Sequence, residues 1–380
     1  MKHTYHILGV PHTVTSKAYN ACAFTQKVLK FGKMMTRRGH TVIHYGHELS
    51  ELECTEHVNV LNDEDFQATY GKSDWKHKTF VFDVEKDEAY KIFIKNAISE
   101  IGKRKKKNDF LLAFWGSPMK RICDAHSDLI VVEPGIGYAN DNNFARWKIW
   151  ESYALYHAHC GLGSVRQCKQ DNYSVVIPNY FDPEDFLYKD QKEEYYLFIG
   201  RVYNGKGVHI AIDAAVRAGV KLVITGQLMG DYKLPPLPDN VSYVGYADVD
   251  TRKTLMANAK AVLIPSQYLE PFGGVQIESL FSGTPIITSD WGAFAECNLH
   301  NVTGYRCRTM GDYVEAIHCI EQGRIKSQVC RQWAENYSLE AVAPKYEKYF
   351  NDVLDVYTGK GWYAKSHGIA SLELKLPARQ

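Results

Sequence analysis

Short apolar runs closed by glycine or proline alternate with helix-length segments, once across the N-terminal half of the chain and again across the C-terminal half. The first series lies at 5–10, 41–45, 110–115, 129–132 and 173–179, with helical patterns at 21–38 and 85–102 between its members. Gly39 stops the first helical pattern as a C-cap does. The second series lies at 195–199, 221–225, 241–244, 261–265 and 285–288, with a helical pattern at 207–218. A half-exposed strand alternates polar and apolar residues, whereas a strand covered on both faces is apolar throughout. These runs are of the second kind, so the pattern predicts α/β architecture with parallel sheets between helical layers. The series breaks at 181–194, a charged, proline-containing stretch without periodicity. The expected organisation is a first domain at 1–180, a linker at 181–194 and a second domain at 195–345. A C-terminal helix and tail at 346–380, with a helical pattern over 343–357, would pack back on the first domain. Residues 50–78 are polar and carry no assignment. In doubly wound sheets ligands sit past the carboxyl ends of the strands, and with two such domains also in the cleft between them.

A chain of 380 residues can build two separate cores. Its 45% hydrophobic and 23% charged composition is that of a globular protein, and a net charge of +1 gives no global attraction to nucleic acid or membrane. Nine cysteines, none in a C-x-x-C pair or at metal-ligand spacing, indicate reduced thiols and a cytoplasmic setting. The N-terminal apolar run is too short for a signal peptide, and no window reaches the roughly 18 apolar residues of a membrane span.

The densest chemistry lies in Leu269-Glu270-Pro271-Phe272-Gly273-Gly274-Val275-Gln276-Ile277-Glu278. A glycine pair opening a helix leaves backbone N–H groups uncovered at its positive end, which suits a phosphate. Carboxylates on either side suit hydroxyls, because an ionised carboxylate only accepts hydrogen bonds. Anion and hydroxyls together describe a sugar nucleotide. For Glu278 the plain alternative is an exposed helix residue; for Glu270 it is a partner of the helix dipole. A second anion site follows the strand at 195–199, where Gly200-Arg201 and Lys206-Gly207 place a bidentate donor and a point charge before a helix. Two solvated surface cations are the alternative reading there.

Three ordered landmarks carry a family resemblance. They are Val176-Ile177-Pro178-Asn179-Tyr180-Phe181-Asp182 with Phe186, Phe198-Ile199-Gly200-Arg201 with Lys206-Gly207, and Glu270-Pro271-Phe272-Gly273 with Glu278. In order and separation they resemble the family 4 retaining glycosyltransferases, chiefly over 173–300. The resemblance implies the GT-B architecture, two Rossmann-like domains facing across a cleft. It further implies a hexose-type sugar moved from a nucleotide-sugar donor to a glycan, a lipid-linked or another hydroxyl acceptor, with retention and without metal or other cofactor. Arg201 and Lys206 would hold the diphosphate and Glu278 the ribose. Glu270, with Gly200 and the backbone of Phe272, Gly273, Gly274 and Val275, would face the donor sugar and its nearer phosphate. Asp248-Val249-Asp250 has the letters of a D-x-D metal motif but stands where the family has an acidic turn.

The N-terminal half departs from the family. Its first loop reads Gly9-Val10-Pro11-His12-Thr13 in place of a Gly-Gly loop, and Glu133-Pro134-Gly135-Ile136-Gly137-Tyr138 replaces the usual histidine. His12, Glu133 and Tyr138 are the acceptor-side candidates, with a solvated His12 and a strand-end Glu133 as the alternatives. The cation run Lys103-Arg104-Lys105-Lys106-Lys107 reads as a solvated helix end, or else as a weak contact for an anionic or membrane surface. A nucleotide-sugar epimerase, a phosphorylase and a binding module without turnover are the rival functions on the same fold.

Overall fold

The computed structural model describes residues 1–71, 81–138, 142–162 and 173–360. The first sheet consists of β1 (Thr4–Leu8), β2 (Thr41–His47), β3 (Glu56–Leu61), β4 (Phe110–Leu112), β5 (Ile130–Ile136), β6 (Trp147–Trp150) and β7 (Ser174–Val176). Its order is β3-β2-β1-β4-β5-β6-β7 and every pairing is parallel. The second sheet consists of β8 (Tyr196–Ile199), β9 (Leu222–Thr225), β10 (Val241–Tyr243), β11 (Val262–Ile264), β12 (Ile286–Ser289) and β13 (Gly304–Cys307). Its order, β10-β9-β8-β11-β12-β13, is parallel throughout. These are two doubly wound Rossmann-like domains, the expected architecture. Strand order reverses between β1 and β4 and between β8 and β11, so each sheet opens a crevice there.

The central strands are apolar because helices cover both faces. Tyr5, Ile7, Phe110 and Leu112 face one layer of the first domain, while Leu8, Leu111 and Ala113 face the other. The unassigned stretch after residue 50 forms β3 and the helix Asp63–Tyr70, while residues 72–80 lie outside the described residues.

Two chain segments cross between the domains side by side. Phe181 N–H donates to the Tyr337 carbonyl at 2.8 Å, and Leu339 N–H donates to the Phe181 carbonyl at 2.9 Å. The helix Leu339–Asp355 begins at Ser338, whose side chain accepts from Ala341 N–H, and enters the first domain at once. Its Phe350 ring lies 4.7 Å from Tyr5 and 5.0 Å from Phe110. Residues 361–380 of the tail lie outside the described residues. The charged stretch after Phe181 first pairs with the first domain, Asp182 with Lys33 and Asp185 with Lys17, and its later part lies on the second domain. Lys192 there donates to the Ala257 carbonyl at 2.9 Å and to Thr284 Oγ1 at 2.8 Å, and burial pulls its pKa down to about 8.

Candidate active site

The second-domain wall of the cleft is built where the strand order reverses. Gly200 and Arg201 follow β8, and a short turn, Asn204–Lys206, leads into the helix Val208–Ala218. Gly207 joins turn to helix at φ +73°, and a Cβ there would stand 2.0 Å from the Pro265 carbonyl oxygen. Only glycine lets the turn after β8 abut the loop after β11. That loop runs through Ser266, Tyr268 and Glu270 to Gly273, which has φ +73°, and then into the helix Gly274–Phe281. A Cβ on Gly273 would press on Phe294 at 2.7 Å. No side chain caps this helix, so its first amides keep their hydrogen-bonding capacity.

Charge on this wall is arranged in pairs. Lys206 forms an ion pair with Glu270 and stands 4.9 Å from the Tyr268 ring centroid. Glu270, 4% exposed, also accepts from Ser266 Oγ at 2.8 Å and from Tyr268 OH at 2.7 Å. Burial pulls the Lys206 pKa down, against the pull of Glu270. Glu278 pairs with Arg252. Burial alone would raise the Glu278 carboxyl, but Arg252 and Lys30 outweigh it and hold that group below its ordinary value. Arg201 is exposed and has no ion-pair partner among the described residues. Gly200, Arg201, Lys206, Glu270, Phe272, Gly273, Gly274, Val275 and Glu278 all line one cleft of about 460 Å³. Arg252 was not among the expected residues; it lies within the helix Val249–Asn258 and reaches the site only through packing. Asp248 caps that helix by accepting from Thr251 N–H at 2.9 Å. Among the described residues no three His, Cys, Asp or Glu side chains group as metal ligands would.

The first-domain wall differs from expectation at three positions. His12 does not reach the cleft. It is 4% exposed, stacked 4.0 Å from the Phe82 ring, with Nδ1 2.7 Å from Tyr90 OH, and burial lowers its pKa to about 3. Glu133 is wholly buried and cannot touch an acceptor. It closes the loop after β5, accepting from Tyr138 OH at 2.5 Å, Phe144 N–H at 2.9 Å and Ala145 N–H at 2.8 Å. Burial raises the Glu133 carboxyl against those three donors. Tyr138 is therefore turned inward, and the strand-end reading of this loop holds. The wall is instead formed by Lys17, Asn20, Lys27, Lys30, Gly137 and Glu151. Lys27 and Glu151 form an ion pair at 2.5 Å, both nearly fully buried, and Lys27 also donates to the Gly135 carbonyl at 2.9 Å. A lysine inside a helical pattern, such as Lys27 or Lys30, carries no local signal that it faces a cleft.

The cation run is largely neutralised by its own surroundings. Lys103 pairs with Glu100, Arg104 with Glu100 and with Glu56 at 2.7 Å, and Lys105 with Asp128 at 2.6 Å. No described helix is long and apolar enough to cross a membrane.

The two walls touch at the turn that precedes the helix Gly274–Phe281. Ser152 Oγ donates to the Pro271 carbonyl at 2.6 Å. Glu296 of the second domain accepts from the N–H groups of Tyr153 and Ala154, at 3.0 and 2.8 Å, and so caps a helix of the first, Tyr153–Cys160.

Residues 184–337 match the family described as glycosyl transferases group 1. A stretch of 125 residues is 37% identical to an uncharacterized glycosyltransferase of Methanocaldococcus jannaschii, covering 30% of this chain and 31% of that protein. Another of 122 residues is 34% identical to the glycogen synthase of Mycobacterium tuberculosis, covering 29% of each. The matched stretch thus spans less than a third of the length of these relatives. Among solved structures, AviGT4, a glycosyltransferase involved in avilamycin A biosynthesis, superposes with a TM-score of 0.67 at 18% identity over 93% of this chain and 98% of its own. HepE of Anabaena, solved with UDP and glucose, superposes with a TM-score of 0.65 at 14% identity over 92% of this chain and 100% of its own. The likeness extends over both domains and shows that the fold is GT-B.

Proposed function

We propose that this chain, whose residues 184–337 match the family described as glycosyl transferases group 1 and whose two domains form the GT-B fold, moves a hexose-type sugar from a nucleotide-sugar donor to a hydroxyl acceptor, with retention and without a metal. The observation that carries the reading is the convergence of Arg201, Lys206 and an uncapped helix tip at Gly273-Gly274 on one cleft, with Glu278 one turn along the same helix. The leaving diphosphate gathers negative charge in the transition state as the anomeric carbon becomes positive. Arg201, Lys206 and the helix amides meet that charge, the task a divalent cation would otherwise perform. Glu278, kept ionised by Arg252 and Lys30, accepts from the ribose hydroxyls. Glu270 and the backbone of Phe272 and Gly273 face the donor sugar. Retention follows if the acceptor oxygen bonds to the anomeric carbon on the face the diphosphate leaves. The C–O bond to phosphate then breaks, and a phosphate oxygen takes the acceptor proton. The acceptor, most simply a glycan, enters from the first domain beside Lys27 and Glu151.

HepE was solved with UDP, so UDP is the first nucleotide to test. UDP, GDP or ADP should raise the melting temperature in a dose-dependent way, since binding to the folded state stabilises it by mass action. Transfer from the matching nucleotide sugar should survive EDTA and give a product with the donor's anomeric configuration. No shift with any diphosphate contradicts the donor site. Activity abolished by EDTA and restored by magnesium or manganese contradicts the metal-free chemistry, and an inverted product contradicts retention.

A further inference from the structure

The cations of the cleft are not equally available to a ligand. Four are held by carboxylates: Lys17 by Asp185, Lys27 by Glu151, Lys206 by Glu270 and Arg252 by Glu278. Among the described residues Arg201, Lys253 and Lys30 line the cleft with no carboxylate at ion-pair distance. Arg201 and Lys253 belong to the second domain. Lys30 belongs to the first, on the helix Ala23–Arg37, and faces the opposite wall.

Lys30 stands at the donor turn. Its ammonium lies 4.4 Å from the centroid of the Phe181 ring. The edge of that ring comes within 3.6 Å of where a Cβ on Gly274 would stand, and Glu278 Oε1 approaches the same point at 3.6 Å. The ammonium and the uncapped helix tip therefore both lie against the Phe181 ring, with the Glu278 carboxylate beside the tip. Burial pulls the Lys30 pKa down while Glu278 and Asp185 pull it back, the situation of a cation that lacks a direct anionic partner. A half-buried ammonium resting on a ring face has lost water without gaining a full counter-charge.

We propose that Lys30 binds the donor diphosphate, at the phosphate next to the ribose, so that the donor is clamped between Arg201 of one domain and Lys30 of the other. The inference rests on the transferase reading above. A diphosphate brings negative charge that Lys206, already shared with Glu270, answers only in part. Lys30 answers it from across the cleft, so a filled donor site ties the two domains together, whereas a site built on the second domain alone would not.

The test is calorimetric titration of UDP, with GDP and ADP alongside, into the full chain and its Lys30→Met and Lys30→Arg variants. The methionine keeps the aliphatic length and packing and removes the charge. We expect Lys30→Met to weaken UDP about tenfold to a hundredfold, the loss of one charge-assisted hydrogen bond. Lys30→Arg, which keeps a cation, should weaken it by less than about threefold. The melting temperature of ligand-free Lys30→Met should equal or exceed that of the parent, because a cation without a counter-charge has been removed. Parental UDP affinity in Lys30→Met overturns this inference and leaves the transferase reading intact. A fall in melting temperature and affinity alike in both variants assigns Lys30 to packing and also overturns it. A parent chain that binds none of the three diphosphates overturns both.

Discussion

Lys206 and Glu270 hold one another before any donor arrives, so neither can be changed without disturbing the other. On the proposed reading Lys206→Ala removes a cation from the leaving group, and it leaves Glu270 buried with only the Ser266 and Tyr268 hydroxyls. We expect turnover to fall by about a hundredfold or more and nucleoside diphosphate affinity by about tenfold, read by steady-state kinetics and calorimetry. Unchanged values in both would remove Lys206 from the diphosphate. The buried histidines set a separate, acid-side behaviour. Burial lowers both His12 and His44 to about 3, whereas an unfolded histidine titrates near 6.5. Between these values the unfolded chain binds protons that the folded chain refuses. Stability therefore falls as pH drops from about 7 towards 3, by up to about 1.4 kcal/mol per pH unit for each histidine, and these two groups contribute almost no slope above about 8. Urea midpoints at pH 7.5, 6 and 5 check this, and His44→Gln should flatten the slope; equal midpoints at all three pH values contradict it. That Arg201, Lys206, Glu270 and Glu278 line one cleft could be read from sequence because each lies a few positions beyond a strand or within one helix of it. Lys30 and Arg252 could not, because mid-helix residues meet the cleft only through packing. His12 misled because a loop histidine gives no sign of the Phe82–Tyr90–Trp115 surroundings that bury it.

The central strands that could be read are buried on both faces, such as β11 with Val262, Leu263 and Ile264, while the edge strands β7 and β10 were read from short apolar runs. Those that escaped carry a polar interruption, two of them at a sheet edge. β3 forms one edge of its sheet and exposes Glu56 and Asn59; β13 forms the edge of the other; β6 places Lys148 between Trp147 and Ile149. The turns around the site are less forgiving. Gly207→Ala would set a methyl group 2.0 Å from the Pro265 carbonyl at a left-handed φ. It should destabilise the second domain by roughly 1–3 kcal/mol or more and weaken diphosphate binding with it, checked by urea unfolding and UDP titration. Parental stability in that variant would contradict the close approach of the turns after β8 and β11.

Across the whole molecule the domains are joined by two crossing segments at Phe181 and Ser338, by Lys17 and Lys33 paired with Asp185 and Asp182, by Tyr246 donating to Asn20, and by a latch where Ser152 meets Pro271 and Glu296 caps the helix Tyr153–Cys160. The latch grips the turn proposed to hold the donor, so on that reading closure and donor binding are mechanically connected. Glu296→Ala removes one helix cap, an interaction of about 1 kcal/mol. It should widen the solution ensemble seen by small-angle scattering and raise KM by a few-fold with little change in melting temperature. An unchanged scattering profile and KM would show that the latch does not govern closure. The architecture was legible because its two doubly wound sheets write the same apolar alternation twice; the latch was not, because it pairs residues of different domains. The most direct measurement is a crystal structure with UDP. The account predicts the diphosphate against the amides of Gly274 and Val275, within hydrogen-bonding distance of Arg201 and Lys206, and the ribose on Glu278. A diphosphate bound away from that helix tip, or a tip whose amides have been taken by the protein's own side chains, would contradict it.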